Sequence, residues 1–204
     1  LYTHAYHFAN FGSSSTQAKK EADYFLSWAR KANISKKRML WLDWEAGSGN
    51  VVTGPKASNT AAILAFMDAV KAAGYRPGLY SGASLMKTSI DTAQIVKKFG
   101  TCLWVASYPT MDAVSAANFN YFPSMDGVAI WQFTSNWHGL NVDGNVALVD
   151  LNQATESKKT AAKKVKVEKA KPKAMETFLV YAPVINNDPN WKIALRVGDG
   201  HLTG

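Results

Sequence analysis

The run RMLWLDWEAGS, residues Arg38 to Ser48, constrains the fold more than any other part of this chain. Met39 to Trp44 is apolar until its last residues and is followed by glycines at 47 and 49, which predicts a buried strand that ends in a turn. A strand apolar on both faces belongs in a parallel sheet covered by helices. Side chains alternate along a strand, so Trp41, Asp43 and Glu45 share one face while Leu40, Leu42 and Trp44 share the other. Two carboxylates at the C-terminal end of such a strand stand where parallel sheets carry their chemistry. The competing reading is a pair of solvated turn residues.

The rest of the chain supplies the partners that strand needs. Leu1 to Asn10 has strand character, and Ser13 to Thr16 offer caps for a helix to about Lys31, with Ala18, Ala22, Phe25, Leu26 and Ala29 at helical spacing. Ser58 to Thr60 predict the cap of a second helix, with Ile63, Phe66, Met67 and Val70 as its apolar stripe and Gly74 as its stop. Further strands are expected at Arg76–Ser81, Thr101–Ser107, Gly127–Phe133 and Asn145–Leu151, with a helical stretch ending near Phe99 and Gly100. Strands alternating with helices imply a parallel α/β sheet with right-handed crossovers. Six strands are expected, the last two joined only by a loop.

Composition narrows the function. The net charge of +8 is concentrated between Ser157 and Ala174, where eight lysines and one glutamate leave the remaining chain near neutrality. This is a basic tether on an ordinary domain, and it argues against specific nucleic-acid recognition, because lysines without interleaved aromatics give only nonspecific phosphate contact. No apolar run reaches the roughly 18–20 residues of a membrane span. The single cysteine, Cys102, excludes an internal disulfide framework and reads as a small core residue in TCLWVAS. His7 reads as a core histidine, and His4, His138 and His201 lack ligand spacing, so no metal site and no cofactor are predicted. The chain divides into a domain over 1–154, a Lys/Ala-rich linker over 155–175 and a short β segment over 176–204 containing TFLVYAP and WKIALRV, too small to stand alone.

At the strand ends the residues form a recognisable set. YHFA at Tyr6–Ala9, LDWE at Leu42–Glu45, PGLYSG at Pro77–Gly82, LWVASYP at Leu103–Pro109, WQFTS at Trp131–Ser135 and VDLN at Val149–Asn152 occur in the order and spacing of the family 25 glycoside hydrolases, the lysozymes of phage endolysins and bacterial autolysins, which this chain resembles from Leu1 to about Ala154. The resemblance implies an irregular (β/α)5β3 TIM-like barrel that cleaves the β-1,4 bond between N-acetylmuramic acid and N-acetylglucosamine in peptidoglycan, at the cell wall. Here that barrel would lack its first two strands, including the family's strand-one Asp-x-Ser motif, for which this sequence has no counterpart.

The resemblance assigns Glu45 as general acid, with Asp43 holding it protonated through like-charge repulsion, and Asp150 as a further active-site aspartate. No nucleophile is evident, so the substrate's own 2-acetamido group is a candidate. Tyr6, Tyr80, Tyr108 and Trp131 sit at strand ends where sugar rings would stack, and Gln132 and Asn152 are candidate hydrogen-bonding partners. The expected partners are peptidoglycan strands, with anionic wall polymers drawn to the lysine linker. Three alternatives stay open: a truncated, inactive wall-binding protein of the same family, a chitinase-like glycosidase, and a basic nucleic-acid binder.

Overall fold

The computed structural model describes residues 2–47 and 49–151 and, as strand backbone, Thr177–Val180 and Trp191–Val197. The expected linker over 155–175 lies outside the described residues. The architecture is mixed α/β: β1 (Tyr2–Phe8), α1 (Ser15–Lys31), β2 (Met39–Asp43), α2 (Lys56–Ala72), β3 (Arg76–Gly82), α3 (Ala83–Thr88), α4 (Thr92–Phe99), β4 (Leu103–Ala106), β5 (Val128–Thr134) and β6 (Asp143–Ala147). β1 to β5 pair in parallel in chain order, and β6 pairs antiparallel with β5. Two strands from the C-terminal segment, β7 (Thr177–Val180) and β8 (Trp191–Val197), follow β6 and return to β1, so the curled sheet closes.

The antiparallel β6 departs from the all-parallel expectation. The connection from β5 is too short for a crossover helix, and a short connection can only reverse the strand. The strand also begins at Asp143 rather than Asn145. Both differences matter at the site.

The helices form for local reasons. Ser14 caps α1 by accepting from the Gln17 amide at 3.2 Å, and the expected stripe of Ala18, Ala22, Phe25, Leu26 and Ala29 is buried. α2 starts a turn earlier than the Ser58–Thr60 cap predicted, because Pro55 at φ −56° is already set for a helix start. Thr60 instead bonds back to the Lys56 carbonyl at 2.7 Å, and the Asn59 amide is spent on the Gly54 and Ser89 carbonyls at 2.9 and 3.2 Å. The third expected helix breaks into α3 and α4 around Ile90, with Asp91 capping α4 through the Gln94 amide at 3.2 Å.

Two faces of the sheet do different work. The outer face of β1 and β2 meets α1 and α2, where His7 stacks on Phe66 at 5.5 Å between ring centres and bonds Glu21 at 3.0 Å. Phe66, Ile63 and Met67 are fully buried there, each worth about 1.5–3 kcal/mol of apolar transfer. The inner face carries Tyr6, Trp41 and Gly78 in one register row and Asp43, Tyr80 and Trp104 in the next. Gly78 is there for space: a Cβ on it would lie 2.2 Å from Trp41 Cε3. Trp41 in turn meets Trp104 edge-on at 5.6 Å, which fills the inside of the curl beneath Asp43.

Candidate active site

The strand alternation that directs Trp41 inward also directs Asp43 inward, and the chain then turns sharply. Gly47 and Gly49 hold φ of +142° and +94°, and the Asn50 backbone amide donates to the Gly47 carbonyl at 2.7 Å, which closes the turn after Glu45. Asn50 Nδ2 donates to the Glu45 carbonyl at 2.8 Å while its Oδ1 accepts from the Gly12 amide at 2.8 Å, which fastens the Glu45 backbone to the loop after β1. Asp43 is buried at 7% exposure and Glu45 is half-buried. Both stand at the C-terminal end of the parallel strands.

A third carboxylate joins them. Because β6 runs against β5, its first residue, Asp143, lies at the end where the parallel strands finish. Burial raises the Asp143 carboxyl above its ordinary range. The hydroxyl of Tyr6 is pushed up by burial first and then by the charges of Asp43, Asp143 and Glu45. Tyr80 is pushed up by burial, then by Glu45, Asp43 and Asp143, with Tyr108 adding to it. Three carboxylates therefore surround two phenols that keep their protons at any working pH. Held in the protonated form, Tyr6 and Tyr80 can donate hydrogen bonds and present apolar ring surface, and they are not poised as nucleophiles.

Other residues singled out from the sequence fall elsewhere. Trp131 turns to the outer face, 1% exposed, where its Nε1 donates to the Ser107 carbonyl at 2.8 Å and its ring is covered by Phe119 and Phe122 at 5.1 and 5.5 Å. It is a core residue of the β4–β5 loop packing and offers no face to a sugar. Gln132, the next residue, faces inward and pairs in register with Asn145. Asp150 is exposed at the opposite end of the sheet, beyond the point where the Leu148 amide bonds Ala129. There it acts on Arg76, whose guanidinium, lowered mainly by burial, donates to the Leu151 carbonyl at 2.9 Å. The seven steps from 143 to 150 carry an antiparallel strand from the site to the far end, so Asp150 does not join Asp43 and Glu45. Asn152 lies outside the described residues.

Asp143 is the carboxylate that sequence reading missed, and a signal existed. The spacing V-D-x-N occurs twice, at Val142–Asn145 and at Val149–Asn152. Strand polarity alone decides which copy reaches the carboxylate pair. Among the described residues no three His, Cys, Asp or Glu side chains converge as metal ligands. The Cys102 thiol is pushed up to about 12 by burial.

The raised Asp143 carboxyl has a stability consequence with a definite sign. The folded chain holds this proton to higher pH than the unfolded chain, so stability falls as pH rises from the ordinary Asp range through the raised value. Asp143→Asn is therefore expected to raise the urea midpoint at pH 7 and to match the parent below that window. An equal shift at both pH values would mean that burial of the charge is not the cause.

The family model described as glycosyl hydrolases family 25 matches residues 1–142. Over 118 residues the chain is 76% identical to the lysozyme of Lactococcus phage mv1, covering 58% of each protein. Over 157 residues it is 38% identical to the lysozyme of Streptococcus phage Cp-1, covering 76% of this chain and 42% of the relative. The fold is similar to the crystal structure of the modular Cpl-1 endolysin complexed with a peptidoglycan analogue, with a TM-score of 0.62 and 35% identity over 86% of this chain and 43% of that one. The chain thus spans less than two thirds of the length of each of these proteins.

Proposed function

Since the chain belongs to family 25 of the glycosyl hydrolases, we propose that it is a peptidoglycan hydrolase of the lysozyme type, cleaving the β-1,4 bond between N-acetylmuramic acid and N-acetylglucosamine. The observation that supports this reading best is the convergence of Asp43, Glu45 and Asp143 around Tyr6 and Tyr80 at one end of the curled sheet. Glycoside hydrolysis needs a proton for the leaving oxygen and negative charge beside an oxocarbenium-like carbon. Glu45, half-exposed at the mouth, supplies the proton; buried Asp43 and half-buried Asp143 supply the charge. In this reading the strands belong to an irregular (β/α)5β3 barrel, and the lysine-rich segment draws the protein to anionic wall polymers. The site of action is the bacterial wall, reached as a phage endolysin or a secreted autolysin, and no helix among the described residues is long and apolar enough to cross a membrane.

With both tyrosines protonated, Glu45 committed to the proton and Asp43 and Asp143 to the charge, the described residues leave the role of nucleophile to the substrate. In this reading the substrate's 2-acetamido oxygen attacks C1 as Glu45 protonates the leaving oxygen, and water, giving its proton to the Glu45 carboxylate, opens the resulting oxazolinium from the opposite face, the one the leaving group vacated. This route gives net retention. Proton NMR of purified Gram-positive walls during digestion is expected to show the β-anomer of the new reducing end first, with mutarotation following. Initial α-anomer would exclude the double displacement, and sedimentation onto walls without reducing-sugar release would leave a binding protein of the same family.

A further inference from the structure

The end of the sheet away from the three carboxylates carries the opposite charge. Each helix of a right-handed crossover delivers its last turn to the start of the next strand, so the ends of α1, α2 and α4 gather where β2, β3 and β4 begin. Residues 30–38, RKANISKKR, span the end of α1 and the loop to β2 and hold five cations and no carboxylate. Lys71 lies in the last turn of α2, and Lys97 and Lys98 in the last turn of α4. Contacts join these ends into one surface: Tyr75 Oη donates to the Ile34 carbonyl at 3.3 Å, Lys36 Nζ donates to the Ala73 carbonyl, and Lys71 Nζ lies 3.5 Å from the Lys98 carbonyl.

Basic residues in a last helical turn are ordinarily explained by the helix dipole. That account covers the helix ends but not the run from Lys36 to Arg38 in the loop. The acids at this end are committed in part, since Asp68 is held by Lys98 and Asp150 acts on Arg76. Arg30, Lys31 and Lys37 are exposed, and none of them makes an ion pair with a described carboxylate. The Lys36 ammonium is pushed down by desolvation first and by the charge of Arg30 second, so like charges stand close together here. Lys36 sits 3.5 Å over the centre of the Tyr75 ring and Lys31 4.2 Å over that of Trp28, which holds both ammonium groups in place. Fixed cations of one sign, crowded together and facing water, form half of an ion-pairing interface.

We propose that this end of the domain binds a linear phosphodiester polymer of the bacterial wall through Arg30, Lys31 and Lys37, with Lys97 beside them. The choice of a wall polymer rests on the wall-hydrolase reading; the basic surface itself does not. Charge complementarity selects a polyanion, and the aromatic rings decide its class. Trp28, Tyr75 and Phe99 lie under Lys31, Lys36 and Lys71, so cations, not open rings, meet an arriving chain. Nucleobases need rings to stack on, and a polyol phosphate needs none. The opposite end, with Asp43, Glu45 and Asp143, repels the same polymer, so docking by the basic end leaves the carboxylates turned toward the glycan. The lysine-rich segment over 155–175 adds attraction from any direction, whereas cations fixed on the domain set its orientation.

The test uses the full chain, soluble poly(glycerol phosphate) and glycan strands free of phosphate. Arg30→Gln, Lys31→Gln and Lys37→Gln are combined in one variant, since glutamine keeps the helix propensity and removes the charge. A cation facing an anionic surface is worth about fivefold in affinity, so this variant is expected to bind the polymer ~100-fold more weakly at low salt. Lys158→Gln, Lys159→Gln and Lys163→Gln remove the same charge from the linker and are expected to weaken binding less than ~10-fold, because flexible lysines lose more rotamer freedom per contact. Bound polymer should slow acylation of Lys31, Lys37 and Lys97, read by mass spectrometry, and leave Lys56 and Lys87 at the carboxylate end unchanged. The fold, followed by circular dichroism, and the cleavage of phosphate-free glycan should both survive the Arg30, Lys31 and Lys37 substitutions. Equal losses in the two triple variants, or equal protection of Lys56 and Lys87, overturn the proposal by reducing it to net charge. Tighter binding of single-stranded DNA or of anionic lipid vesicles than of poly(glycerol phosphate) overturns it as well. Polymer binding by an unsubstituted chain that cleaves no glycan would instead sink the hydrolase reading and leave this surface standing.

Discussion

Glu45→Gln is expected to lower the rate of reducing-sugar release from purified walls by about 10²–10⁴, the range that a positioned proton donor contributes. The substitution keeps the shape of the side chain and removes only the transferable proton. Glu45 is half-exposed, and its backbone carbonyl, not its carboxylate, receives the Asn50 bond that holds the turn. The thermal midpoint should therefore stay within a few degrees of the parent's, which separates a chemical defect from unfolding. Asp150→Asn is the matched control: it removes one negative charge at the far end of the sheet and should leave the rate within about twofold, as expected for a distant surface substitution. A Glu45→Gln variant that still works within tenfold of the parent would remove Glu45 from the acid role.

The largest effect on stability is expected at Gly78, whose backbone does not adopt a positive φ. Its Cβ position lies 2.2, 2.4 and 2.7 Å from three ring atoms of Trp41, closer than any non-bonded carbon pair tolerates. Trp41 has no room to retreat, being fully buried with Trp104 edge-on against it. Alanine would gain about 0.4–1 kcal/mol by restricting the unfolded chain. Overpacking of a filled interior typically costs about 1–3 kcal/mol and sometimes more, and a whole carbon driven into a fixed indole belongs at the upper end. A net loss of about 2–3 kcal/mol is expected, read as a lower urea midpoint at unchanged slope. Trp41→Leu in the same chain should recover part of it, because the two residues are register partners and their effects couple. If Gly78→Ala matches the parent, the packing inside the curl is looser than these distances imply.

Much of this is legible from residue order. The i, i+2 rule places Trp41 and Asp43 on one face of β2 before any coordinates, and the apolar spacing of Ala18 to Ala29 and of Ile63 to Val70 picks out the buried stripes of α1 and α2. The same parity rule carries a warning: Trp131 and Gln132 are consecutive in a strand, so both cannot face one site, and the burial of Trp131 under Phe119 and Phe122 shows which turned away. Asp150 is a harder case. Choosing between two V-D-x-N spacings depends on the direction of β6, and direction is a property of pairing with β5 that no local propensity encodes. The early start of α2 escapes a local reading for a simpler reason: Ser58, Asn59 and Thr60 have capping side chains, but Pro55 has already fixed the helix geometry upstream.

The reversal of β6 also sets how this site comes together in time. Gln132, Asn145 and Asp143 all belong to one hairpin, closed by a short connection, whereas Asp43 and Glu45 reach them only after several strand–helix crossovers have been laid down. Hairpins form on the microsecond scale, while distant pairings bear the full entropy of loop closure. One half of the carboxylate cluster is thus a local folding unit and the other half is the last product of the topology, so the cluster is complete only when the slowest contacts of the chain are in place.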